Sequence, residues 1–145
     1  MAENLPDETT QRFVAVLNKK IEVGKLMNAL GHMAAGLAGG SDDSGKMHFL
    51  EYGDASDKPH PNISHFPFIV LKAKNSNQIQ TLKEQALERG IEFTDFTDTM
   101  TIGTSAEQRK QTKETSDEEL DYYGICLFGS TDELKEMTSK LSLFV

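Results

Sequence analysis

Hydrophobic positions along the chain switch between unbroken apolar runs and helical stripes, with polar punctuation between them. The run Phe13-Val-Ala-Val-Leu17 is short and rich in strand formers, which predicts a buried strand. From Gly24 to Ala38 the period becomes helical, and Leu26, Leu30, Met33 and Leu37 form one stripe. Gly31, Ala34, Ala35 and Ala38 are small enough to let that helix lie close against a sheet, and the loop from Gly39 to Gly45 ends it. Met47 to Tyr52 reads as a second strand. Gly53 to His65, punctuated by Pro59 and Pro61, reads as a loop. Phe66 to Ala73 is continuously apolar and is expected at the sheet centre, with Pro67 at its start.

Asn75 to Arg89 is helical, with Ile79, Leu82 and Ala86 inward, Asn75 and Gln78 at capping-box spacing, and Gly90 as the stop. Ile91 to Thr97 is a less regular strand, because Asp95 interrupts its alternation. Met100 to Leu120 is polar with few large apolar residues, which predicts a mobile segment or a surface helix serving as a lid. Tyr122 to Phe128 is a strand. Ser130 and Glu133 open a helix carrying Leu134, Met137 and Leu141, and Ser142 to Val145 adds an extended end. Strands alternating with helices imply a three-layer α/β fold, its mixed sheet of four or five strands flanked by helices.

At 145 residues the chain has room for one core. The expected organisation is a flexible acidic tail over residues 1–11 and a single α/β domain over 12–145. With 37% hydrophobic and 26% charged residues the chain should fold, and no apolar run is long enough to span a membrane. The polar, acidic start is unlike a signal peptide, and the lone Cys126 suits a reducing compartment, so a cytoplasmic location is expected. A net charge of −8 argues against tRNA as a partner.

Candidate chemistry gathers between residues 12 and 32. Arg12, Lys19, Lys20 and Lys25 oppose a single acid, Glu22, at a strand-to-helix junction, where α/β folds place ligands. Lys25 near a helix N-terminus suits an anion or a developing oxyanion. Lys25, Asn28, Ala29 and His32 recur on one helical face. Asp98 follows a strand and is placed to orient a lysine or activate water. The remaining histidines show no metal-ligand spacing, and no Walker loop, GxGxxG or GxSxG motif is present; neither metal nor cofactor is expected. Cys126, inside an apolar strand, reads as a core residue.

Two stretches, FVAVLNKKIEVGKLMNALGHMAAGL and FIVLKAKNSNQIQTLKEQALERGIEFTDFTD, resemble the type-II peptidyl-tRNA hydrolases, as does the tail GICLFGSTDELKEMTSKLSLF. The chain more closely resembles a family of uncharacterised bacterial proteins of that fold, marked here by HPNISHFPFIVLKA, FTDTM and DYYGICLFG. The resemblance implies a peptidyl-tRNA hydrolase II-like fold, with Lys25, His32 and Asp98 at the positions that matter for hydrolysis. It also implies that Lys25 and Asp98 border one cleft, within about 3–6 Å of each other. The chain departs from the hydrolases at Asn18 (an acid there), at Ala29 (a glutamine) and over Thr99 to Ile102. The expected function is therefore binding of a small anionic ligand in the Lys25/Asp98 cleft, with Asn18, Lys19, Lys20 and Asn28 as binding residues. Its alternatives are hydrolysis of an ester or amide by Lys25, Asp98 and His32, or use of the same surface for a homodimer.

Overall fold

A computed structural model describes residues 4–145. Five strands form the main sheet: β1 (Gln11–Asn18), β4 (Phe68–Ala73), β5 (Glu92–Thr97), β6 (Tyr122–Ser130) and β7 (Ser142–Leu143). Their order is β5-β6-β1-β4-β7. Only β1 and β4 run parallel, as the first crossover dictates; the other three pairs are antiparallel. A separate two-stranded sheet joins β2 (Phe49–Gly53) to β3 (Pro59–Ser64). Among the described residues four α-helices complete the fold: α1 (Val23–Gly40), α2 (Ser76–Arg89), α3 (Ser105–Lys113) and α4 (Thr131–Met137).

Strand alternation divides the core between the two faces of the sheet. Phe13, Ala15 and Leu17 of β1 pack with Leu26, Ala29, Met33 and Leu37 of α1. Val14 and Val16 point the other way, toward Ile79, Leu82 and Ala86 of α2 and Leu134 of α4. Helices on both faces therefore make three layers. Each large apolar side chain buried this way contributes about 1.5–3 kcal/mol. Asn75 caps α2 by accepting from the Gln78 amide at 3.1 Å, and Gly90 closes it in the left-handed conformation (φ 66°), which a residue without a Cβ adopts at little cost.

Three expectations need correction. The sheet centre is β1, not the 66–73 run: β4 has only the two-residue β7 outside it, so most of its residues stay half-exposed. The expected loop after Gly53 contains β3, because the free edge of a two-stranded sheet tolerates Pro59 and Pro61. In α1, Ala29 is buried against the sheet side, whereas Gly31 and Ala35 are exposed.

Residues 1–3 of the expected loose tail lie outside the described residues. Farther along, the Pro6 carbonyl accepts from His65 Nε2 at 2.8 Å, and the Thr10 carbonyl accepts from the Thr131 amide at 3.0 Å. No helix among the described residues is long and apolar enough to cross a membrane.

Candidate functional site

The carboxyl end of β1 is fixed by Asn18, only 2% exposed. Its Nδ2 donates to the Tyr122 carbonyl at 3.0 Å, and its Oδ1 accepts from the Lys20 amide at 3.0 Å. The Lys19 amide donates to the Ala73 carbonyl at 3.0 Å, which joins the ends of the two parallel strands. Asn18 and Lys20, with Asn75, Ser76 and Asp121, line a pit of about 300 Å³ at this sheet edge. Burial foremost, and then the neighbouring Asp98 carboxylate, raises the Asp121 carboxyl above its ordinary range.

A larger cleft, about 590 Å³, opens beside it between α1 and the 98–121 insert. Lys25, Asn28 and His32 recur at one-turn spacing and form its α1 wall. Phe96 of β5 and Tyr123 of β6 contribute aromatic surface, because Thr97 and Tyr122 face the other way along their strands. The His32 ring stacks on Phe96 at 5.9 Å and 29°, and Phe96 meets Tyr123 at 5.9 Å. Burial is the main cause that lifts the Tyr123 hydroxyl above its ordinary pKa, with Asp121 and Asp98 adding to it. Met100, Thr101 and Gln108 of the insert face α1 across the opening, and Glu22 stands on the rim.

Lys25 enters no ion pair among the described residues. The direct Lys25–Asp98 pair is therefore not formed. Asp98 instead ties off the neck of the insert. Its amide donates to the Asp121 carbonyl at 3.0 Å, and its Oδ1 accepts from the Asp121 amide at 3.1 Å. Lys25, Asn28 and His32 thus share one cleft, Asn18 and Lys20 share the adjoining pit, and Lys19 borders neither.

Residues that the sequence reading did not single out complete the cleft. Phe96 and Tyr123 were legible only as strand residues. Gln108 lies in a segment whose only signal was its polarity.

A second polar cluster lies on the opposite sheet face. Lys83 Nζ is 2.9 Å from the Tyr122 hydroxyl, 3.5 Å from Asp117 and 3.8 Å from Asp95. Tyr122 also donates to Asp117, and burial foremost pushes its hydroxyl up to about 12. This cluster holds the far end of the insert against α2. Among the described residues no three His, Cys, Asp or Glu side chains converge as metal ligands.

The fold resembles that of a solved protein of unknown function from Agrobacterium tumefaciens strain C58, Atu0240, with a TM-score of 0.80 at 17% identity. The match covers 93% of this chain and 98% of that one. Among curated proteins no relative matches. A family model described as a protein of unknown function (DUF2000) matches residues 11–144, and the chain belongs to that family.

Proposed function

We propose that the protein binds a small planar monoanion in the cleft between α1 and the insert. The observation that carries this reading is a lysine that, among the described residues, enters no ion pair and stands beside the stacked rings of His32 and Phe96. Lys25 supplies the charge for a carboxylate or a similar anion, and charge-assisted hydrogen bonds are the strong ones. The exposed His32 ring, backed by the largely buried Phe96 and Tyr123, offers the ligand's flat body a surface, while Asn28, Thr101 and Gln108 offer hydrogen bonds. Glu22 on the same rim disfavours a second negative charge.

The hydrolytic alternative keeps the resemblance of its segments to the type-II peptidyl-tRNA hydrolases. Geometry favours binding, since the Asp98 carboxylate is engaged by the Asp121 amide rather than by Lys25 and does not line the Lys25 cleft. Hydrolysis needs an acid or base held in reach of the reacting group.

The test is an amide NMR titration with 2-naphthoate against its uncharged analogue 2-naphthalenemethanol. Naphthoate is expected to shift the amides of 25–32, Phe96 and Tyr123, and Lys25→Ala to weaken its binding about fivefold or more. Equal binding of the acid and the alcohol, or shifts confined elsewhere, would refute the reading.

Nucleic acid is not expected to compete. At a net charge of −8 the long-range field repels a polyanion. Binding to bulk tRNA at physiological salt should be no tighter than about micromolar. A filter-binding assay showing nanomolar, salt-sensitive retention would contradict this.

A further inference from the structure

We propose that α3 is a lid over the Lys25 cleft and that a chain of threonine hydroxyls is its latch. The proposal deepens the binding reading above and rests on it for the meaning of the cleft, though not for the motion itself.

The connection from β5 to β6 joins antiparallel neighbours, for which a turn of about 2–5 residues suffices. Here the chain runs instead from Asp98 to Asp121, and its two ends are bonded to each other at the neck. Within it α3 buries no residue. Apolar packing therefore does not hold α3 in place. Just before it stand exposed Ile102 and then Gly103, whose φ of 42° is one that side chains rarely adopt. This places a pivot directly ahead of the helix.

What holds α3 is a relay of hydroxyls. Thr112 Oγ1 donates its one proton to the Gln108 carbonyl at 2.7 Å. In the 2.7 Å contact between Thr99 and Thr112, Thr99 must then be the donor. Thr97, 2.8 Å from Thr99, is in turn the donor to it. The chain Thr97→Thr99→Thr112→Gln108 thus starts in the sheet and ends on the one α3 residue that lines the cleft. Thr97 and Thr99 are 1% and 5% exposed, so water competes little for these bonds. Releasing Thr112 frees the helix, and Gln108 with it, while the neck and the Asp117 tether keep the insert attached.

Hydrogen exchange on the free protein tests the latch without any ligand. In Thr112→Val the amides of 105–113 should exchange about fivefold or more faster than in wild type, with β5 and β6 unchanged. Thr112→Ser, which keeps the hydroxyl, should match wild type. Unchanged exchange in Thr112→Val, a change spread through β5 and β6, or a wild-type α3 without protection would each overturn the lid. Adding 2-naphthoate should slow exchange across 105–113 in wild type. If naphthoate binds and leaves α3 untouched, the lid falls while the binding reading stands. If it does not bind, the binding reading falls and the first comparison still decides the latch.

Discussion

In the folded protein Cys126 should react with a thiol reagent such as dithionitrobenzoate at least about a thousandfold more slowly than in the unfolded chain. The residue sits mid-strand in β6, hydrogen-bonded between β1 and β5, with Ala15 and Thr94 as its register partners. It is fully buried, and desolvation pushes its thiol up to about 12. At pH 8 the reactive thiolate is scarce and out of reach at once. Since β6 lies next to the central strand and carries both faces of the core, exposing Cys126 requires opening most of the molecule. Labelling should therefore follow the unfolded fraction, which at a stability of about 5 kcal/mol is already below one in a thousand. The same shift has a sign. The folded thiol holds its proton more tightly than the unfolded one, so its contribution to stability is present below the ordinary value of 9.0. That contribution is lost as the pH rises toward about 12. Labelling at comparable rates in native buffer and in guanidinium chloride would show that β6 opens locally.

Much of this architecture can be read along the chain wherever burial and local chemistry agree. Leu26, Met33 and Leu37 recur at helical spacing because one face of α1 is buried, and Asn75 announces the start of α2 because an orphan amide needs its carboxamide. The sheet order is not legible in this way. Apolarity alone favours 66–73 for the centre, but the centre goes to β1, which both β4 and β6 flank along its length. Pro59 and Pro61 hide β3, since proline marks a break except where a free edge tolerates it.

The site divides along the same line. Lys25, Asn28 and His32 meet because a helix puts them on one face, a local fact. Asp98 sits far from Lys25 in sequence, and its partner is set by where the insert returns to the sheet, which no spacing reveals. The Thr97–Thr99–Thr112 chain is hidden for a similar reason. Three threonines in a polar stretch look like solvated surface until folding removes their water.

Asn18 shows most clearly how a candidate binding residue can be a strut, and Asn18→Asp should be the most damaging single change near the site. The side chain is 2% exposed, and its Nδ2 donates to the Tyr122 carbonyl. A carboxylate there still accepts from the Lys20 amide but offers no proton to that carbonyl, so two acceptors face each other in a buried space. An uncompensated buried charge costs about 3–5 kcal/mol, a large share of the 5–15 kcal/mol of an ordinary domain. Lys20 is solvent-exposed and offsets little of it. The pH dependence follows. Burial raises the folded pKa of the introduced carboxyl above its unfolded value of about 3.9, so the folded state gains relative stability as the pH falls through that raised value. Once protonated, the carboxyl again donates to Tyr122. The variant should therefore lose most stability at pH 7.5 and recover part of the deficit relative to wild type near pH 4.5. Lys19→Ala, one residue on and exposed, should stay within about 0.5 kcal/mol of wild type. Guanidinium chloride midpoints at the two pH values decide the matter: an Asn18→Asp protein as stable as wild type at pH 7.5 would return Asn18 to the ligand-binding residues.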